Sequence, residues 1–328
     1  MSGEKKTTIK DVAKEANVSI SVVSYVLNNK AGKTISDATK LRVTEAAKKL
    51  RYFPNRIASG MRNRKAMSIG VVSYWDMDGA AFMGMLSGAI EVASAYGYSV
   101  VVCNPKAGED EYAYLDHYRS KSIDGIIFIS PYEALGLIDE HTHINKMKSA
   151  GVPFVIINGH SCVADVSYIN IDFYSSTYLA TRYLISKGHS AITYVAPVSI
   201  PYSELHQRYL GYRDAVHEVD LPECICDIGD ISTNIKSFKA VVTNKSDTAY
   251  AVMREAWAQG LNIPRDFVLI AGNTESYSEY LLPPLSTVKI DAKQMAASAA
   301  HYIVDCLNGN KAVITLKSQC CLQIRESC

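Results

Sequence analysis

The sequence predicts an α/β protein with a small three-helix head at the N-terminus and a body of two doubly wound parallel-sheet subdomains. Three observations carry this. The 328 residues suffice for two or three domains, and with 48% hydrophobic and 20% charged residues a disordered or collagen-like chain is excluded. The charge is divided: residues 1–65 hold 15 Lys+Arg against 5 Asp+Glu, a balance of +10, while the remainder carries −9. From residue 66 onward, short β-branched runs alternate with helical patterns, the arrangement that gives parallel strands covered by helices on both faces.

Within the head, Thr8 is placed as N-cap of a first helix with Asp11 at the third position, and Ile9, Val12, Ala13 and Ala16 form its buried stripe. Asn17-Val18 is a tight turn. Ser19 caps a second helix over residues 20–27 that buries Val22, Val23 and Val26 and leaves Ile20, Ser21, Ser24 and Tyr25 outside. Two short helices joined in this way form a helix-turn-helix. A third helix runs from the cap Ser36 to Leu50, with Leu41, Val43, Ala46, Ala47 and Leu50 facing the shared core. Gly32-Lys33-Thr34 is no phosphate-binding loop, because Leu27 stands where that motif needs its first glycine.

In the body, residues 68–73, 99–103, 125–129 and 154–158 read as buried strands, with helices at 81–96, 109–120 and 137–149 between them. A second set follows, with strands at 168–171, 191–196, 240–243 and 267–271 and helices at 175–187, 203–219 and 247–259. Two α/β subdomains with a cleft between them are expected.

Other classes are excluded or disfavoured. No run reaches the roughly 18 apolar residues of a spanning helix, and the polar start lacks an apolar signal region, so a cytoplasmic location with no membrane association is expected. The eight cysteines show no C-x-x-C, and Cys224-x-Cys226, Cys320-Cys321 and His141-x-His143 each lack a second pair, so free thiols and no metal or cofactor are expected. No G-x-G-x-x-G follows a strand and no G-x-S-x-G elbow is present, which argues against an enzyme. A strongly basic head on an acidic body instead fits a polyanion partner.

The run from Thr8 to Ser19, followed by Val22-Val23-Ser24 and Asn28, resembles the DNA-binding head of the LacI/GalR family of bacterial transcription regulators. Leu50-Arg51-Tyr52-Phe53-Pro54-Asn55-Arg56-Ile57-Ala58 resembles that family's step into its hinge helix. Similarity continues through Ser68-Ile69-Gly70-Val71-Val72, Asp124-Gly125-Ile126-Ile127, Lys187-Gly188-His189 and the terminal Leu322-Gln323-Ile324-Arg325-Glu326-Ser327. The resemblance implies that Ile20, Ser21 and Tyr25 read base edges in the major groove, that Thr8, Ser19, Ser24 and Asn28 grip phosphates, and that Met61, with Asn55 and Arg56, enters the minor groove.

It further implies a helix-turn-helix domain over residues 1–52, a hinge over 53–65 and a periplasmic-binding-protein-like body over 66–328. The first subdomain is expected at 66–165 plus 290–318 and the second at 166–289 plus 319–328. Ligands of open α/β sheets sit beyond the carboxyl ends of strands. Trp75, Asp76, Tyr132, Asp172, Tyr202, Arg208 and Asn273 are therefore the effector candidates, with Tyr74, Asn158 and Ile231 nearby. Arg208 offers a planar fork for hydroxyls or a carboxylate.

The chain departs from the family pattern at Asn273, where Asp is usual, at Ile231, where an aromatic is usual, and around Lys245-Ser246-Asp247. The expected activity is that of a homodimeric repressor on a near-palindromic double-stranded operator, modulated by a small, sugar-like molecule. The alternative, a solute-binding protein for transport, explains the body but not the basic head.

Overall fold

A computed structural model gives the structure and describes residues 7–27, 35–52, 65–74, 80–105, 110–130, 138–161, 163–197, 203–310 and 312–328. It comprises two compact units, Met1–Met67 and Ser68–Cys328.

The first unit contains α1 (Ile9–Glu15), α2 (Ile20–Leu27) and α3 (Asp37–Lys49). At the start of α1 the Thr8 backbone N–H and hydroxyl both donate to Asp11 Oδ2, at 2.8 and 2.7 Å. Just past the C-cap Ala16, Asn17 adopts φ 51°. Asn17 N–H donates to Lys14 O at 3.3 Å and Val18 N–H to Ala13 O at 3.0 Å, the paired bonds of a Schellman close. Asn tolerates this left-handed backbone better than most residues, so the turn into α2 is set locally. Val12, Ala13, Ala16, Val23, Val43, Ala46 and Ala47 form the buried core. Leu41, expected in that core, is 59% exposed. It precedes Val43 by two residues, about 200° around the helix, and so lies on the opposite face.

In the second unit, the first sheet contains β1 (Ser68–Ser73), β2 (Ser99–Val102), β3 (Gly125–Ile129), β4 (Phe154–Ile157), β5 (Tyr168–Asn170) and β11 (Thr315–Lys317). Its order is β2-β1-β3-β4-β5-β11 and every pairing is parallel. One face packs on α5 (Tyr114–Arg119) and α6 (Glu140–Ala150) through Leu115, Ile123, Ile144 and Met147. Elsewhere α11 (Ala292–Leu307) lies on β3 and β4 and against α4 (Ala80–Ala95). A Cβ added at Gly88 would stand 2.0 Å from Lys293 O, so α4 and α11 approach backbone to backbone.

The second sheet contains β6 (Ile192–Ala196), β7 (Cys224–Asp227), β8 (Ala240–Thr243), β9 (Val268–Ala271), β10 (Ser286–Ile290) and β12 (Cys320–Gln323), in the order β7-β6-β8-β9-β10-β12. β12 alone among these runs antiparallel to its neighbour. One core lies under α7 (Phe173–Ser186) and α8 (Ser203–His217), the other under α10 (Ser246–Ala258) and the short α9 (Ile231–Asn234).

The chain passes between the sheets at residues 170–173, 290–292 and 317–320. The first and third passages are joined: Ser318 N–H donates to Asn170 O at 2.8 Å, Asp172 N–H to Ser318 Oγ at 3.1 Å, and the Cys320 thiol to Asp172 O at 3.3 Å.

Two expectations need correction. β5, assigned from sequence to the second subdomain, pairs with β4 and β11 of the first sheet, and Tyr168 packs into that sheet's core. The helix expected over 109–120 begins at Tyr114, because Asp110 starts a turn in which its carboxylate accepts Tyr112 N–H and its carbonyl accepts Ala113 N–H. Sequence periodicity also missed β7, β10, β11, β12 and α11. β11 is exposed throughout, and β7 is an edge strand with Ile225 turned to solvent, so neither has the apolar signature of a buried strand.

Candidate functional site

Two places have the chemistry to bind. The first is the outer surface of α2. Val23 faces wholly inward, while Ile20 and Ser21 are exposed and Ser24 and Tyr25 half-exposed. Ser19 Oγ accepts the Val22 N–H at 3.3 Å, which caps α2 and leaves the hydroxyl proton free to donate. Thr8 differs: its hydroxyl proton is spent on Asp11, so in this arrangement it caps α1 and offers nothing to a phosphate. Lys14, Lys40, Arg42, Lys48 and Lys49 stand around the same small unit, with Lys49 paired to Glu15 at 2.6 Å. An exposed pair of this kind contributes little stability, and it offsets the charge of Lys49 locally; the positive surface comes from the excess of Lys and Arg over Asp and Glu in this unit. Asn28, Asn55, Arg56 and Met61 lie outside the described residues.

The second place is formed by the carboxyl ends of the parallel strands. Trp75, Asp76, Tyr132 and Tyr202 lie outside the described residues. Tyr74 lies among Phe128 and His143, and its hydroxyl donates to Glu111 O at 2.6 Å, so it belongs to the first core. Ile231, a cleft candidate by sequence, is buried in the second subdomain's core between Cys226 and Ile235 and does not line a cleft.

Asp172 is the N-cap of α7: its two carboxylate oxygens accept Ser175 N–H at 3.1 Å and the Ser175 hydroxyl at 2.8 Å. Asn273 is similarly engaged. Its Oδ1 accepts Ser246 N–H at 2.6 Å, its carbonyl accepts the Ser246 hydroxyl at 2.8 Å, and its Nδ2 donates to Glu275 at 3.1 Å, which fixes the start of α10. Beside it, burial pushes the Lys245 ammonium down to about 8 despite Asp247 and Glu275 nearby. Arg208 is 2% exposed, with its guanidinium over the Phe173 ring.

The polar atoms best placed for a ligand lie on the first sheet. Asn158 follows β4, adopts φ 60° and is 1% exposed, yet neither its Oδ1 nor its Nδ2 has a hydrogen-bond partner. Ser161 Oγ and Asn170 Oδ1 are buried and unpartnered as well. A buried unpaired polar group costs about 1–3 kcal/mol, so several together mark a surface made to be completed by another molecule.

Sequence reasoning missed what holds this surface. The Glu140 carboxylate, 2% exposed at the start of α6, accepts from the Ser130 hydroxyl, from His160 N–H at 3.1 Å and from Ser161 N–H at 2.9 Å, and lies 3.1 Å from His160 Nδ1. In the sequence it looks like an ordinary acid in a helix's first turn. Among the described residues no cluster has the makings of a metal site, and seven described cysteines are free.

Comparison with known proteins agrees with this division. Residues 8–55 match the family model "Bacterial regulatory proteins, lacI family", and residues 181–328 match "Periplasmic binding protein-like domain". Catabolite control protein A of Priestia megaterium is 26% identical over 316 residues, covering 92% of each chain. The HTH-type transcriptional repressor PurR of Escherichia coli is 27% identical over 317 residues, covering 91% of this chain and 89% of PurR. Among solved structures, the lac repressor dimer bound to operator and the anti-inducer ONPF superposes with TM-score 0.72 at 22% identity, covering 98% of this chain and 99% of its own. The transcriptional regulator CelR–cellobiose complex gives 0.66 at 23%, with the same coverage. At these identities the structures establish a shared fold.

Proposed function

We propose that the chain is a DNA-binding transcription regulator of the kind its lacI-family match describes, and that it acts in the cytoplasm as a homodimeric repressor. The observation that carries the reading is α2 itself: a Schellman turn sets it against α1, Val23 pins its inner side, and Ile20, Ser21 and Tyr25 project from its outer side on a unit with +10 charge. Ile20 offers an apolar contact to a thymine methyl, and the hydroxyls of Ser21 and Tyr25 donate or accept at base edges. Ser19, Ser24 and Asn28 would fix register on phosphates. Met61, with Asn55 and Arg56, would open the minor groove at the operator centre.

A two-fold operator calls for two heads. Met83 and Ile90, seven residues apart on one face of α4, are 56% and 45% exposed, and Val102 of the edge strand β2 is exposed as well. That apolar strip is the dimer surface we assign.

We assign the effector to the carboxyl ends of the two sheets, with Asn158 and Arg208 as direct partners; Trp75, Asp76, Tyr132 and Tyr202 would add contacts as the sequence expects. Asp172 and Asn273 frame the site by holding the starts of α7 and α10. The mechanism is differential binding: an effector preferring one closure state of the subdomains shifts the head's affinity for operator by that preference and no more. The protein therefore works by binding rather than catalysis. The CelR–cellobiose complex shows only what that other protein holds; here a neutral hydroxylated ligand would satisfy both atoms of the Asn158 amide.

The test is selection from a random duplex pool, followed by thermal-shift screening of the full chain against a panel of mono- and disaccharides. A near-palindromic consensus and at least one stabilising saccharide support the reading. Failure to enrich any duplex contradicts it.

A further inference from the structure

The unpartnered amide of Asn158 is useful to a ligand only if it is held still. Asn158 begins the segment 158–161 and takes a left-handed φ of 60°, which Asn tolerates better than most residues. Its backbone N–H donates to Ile169 O at 3.0 Å. The grip on the far side comes from one group. Glu140 accepts the N–H groups of both His160 and Ser161, receives the Ser130 hydroxyl from the end of β3, and faces the His160 ring at 3.1 Å.

We infer that Glu140 is a positioning residue for the effector wall, and that with His160 it forms a latch holding segment 158–161 so that the Asn158 amide is presented to ligand. This rests on the assignment of the effector to the strand ends.

The electrostatics agree with the geometry. Burial alone would push the Glu140 carboxyl up, but the hydrogen bonds from His160, Ser130 and Ser161 overcome it and hold it at about 2. His160 is raised above its ordinary range, chiefly by its bond to Glu140. The other titratable groups at this end of α6 are engaged elsewhere or exposed: Asp139 accepts Thr142 N–H and its hydroxyl, His143 is bonded to Tyr114, and His141 lies on the solvent side. No charged group besides Glu140 contributes to the rise at His160.

A group whose folded pKa is raised supports the structure fully below its unfolded value, near 6.5, and loses that support as pH climbs through the raised value. The latch should therefore loosen on the alkaline side.

Hydrogen exchange on the full-length protein tests this without any effector. With rates corrected for intrinsic chemistry at each pH, the His160 and Ser161 amides should exchange several-fold faster in Glu140→Gln than in wild type, because the neutral amide oxygen of Gln is a weaker acceptor than the carboxylate it replaces. In wild type their protection should fall as pH rises above the ordinary imidazole value, about 6.5. In His160→Gln, which keeps a donor but does not titrate, that fall should vanish, and a purely structural role for Glu140 would not produce such a pH profile.

Unchanged exchange in Glu140→Gln, or the same pH profile in His160→Gln as in wild type, would overturn the inference. Should Glu140→Gln fail to fold, the wild-type and His160→Gln profiles decide it alone. The underlying assignment fails separately: if the latch behaves as described but Asn158→Ala binds the stabilising saccharide from the panel as wild type does, Asn158 is no effector contact.

Discussion

The guanidinium carbon of Arg208 lies 4.5 Å from the centroid of the Phe173 ring. Arg208 belongs to α8, whereas Phe173 opens α7 at the end of the first passage between the sheets, next to the capping Asp172. The Arg208 carbonyl also accepts the Thr177 hydroxyl. An effector gripped by this side chain would thus act on a residue at the crossover itself, which is where a change in subdomain closure must be absorbed.

Arg208→Lys keeps the charge but loses the planar fork and the stacked face. Losing a charged hydrogen bond to ligand costs about 1.5–3 kcal/mol, so effector response should require roughly tenfold or higher concentration. Operator affinity without effector should be kept. Melting temperature, operator binding and ligand response measured on this variant separate the roles: normal response removes Arg208 from the site, and loss of operator binding without ligand makes it a structural residue.

Gly211 stands one turn beyond Arg208, and a Cβ there would lie 2.1 Å from Tyr174 O and 2.7 Å from Thr177 Oγ1. Gly211→Ala must push α8 off α7. Overpacking of this kind costs about 1–3 kcal/mol. Denaturant unfolding should show that loss, and an unchanged midpoint would mean the two helices are less closely joined than described.

Much of this was legible in advance where local chemistry decides structure. Ser36 and Leu50 bracket α3 because a hydroxyl cap and an apolar period act within a few residues. Ile20 to Leu27 could be read as a helix with one inner face for the same reason. The site was less legible. Asp172 and Asn273 have the residue types of ligand contacts, yet both are spent on helix starts, and only the fold shows which carboxylate or amide is already satisfied. Ile231 has the position of a cleft residue in the sequence, but it opens the short α9 and packs into the core. Glu140 reaches residues twenty positions away, a relation that no periodicity encodes.

His143 is fully buried against Tyr114, Phe128, Tyr74 and Tyr112, with Nδ1 2.9 Å from the Tyr114 hydroxyl. Burial lowers its pKa, against the opposing pull of Glu111, Asp139 and Glu140. Its neutral form is the folded one, so its contribution to stability is present above about 6.5 and is lost as pH falls through the depressed value. This is opposite in sign to His160. Melting temperature should fall from pH 7 to pH 5 more steeply in wild type than in His143→Gln, which does not titrate; parallel curves would show that His143 is already charged or exposed.

Met61 carries the minor-groove proposal. A wedge matters only where the duplex is bent around it, whereas nonspecific binding is mainly electrostatic. Met61→Ala should therefore weaken binding to the selected operator and leave affinity for random duplex nearly unchanged. Equal losses on both would refute the wedge.

The central claim is that residues 1–67 read DNA for the whole chain, and it is tested most directly by titrating the selected operator and a scrambled duplex with the full chain and with a chain beginning at Ser68, across a range of salt. The full chain should prefer the operator by about 10³ or more, with log K falling by about 0.9 per log unit of salt for each phosphate neutralised, and the shortened chain should bind neither duplex. Operator binding by the shortened chain at comparable affinity would contradict the account.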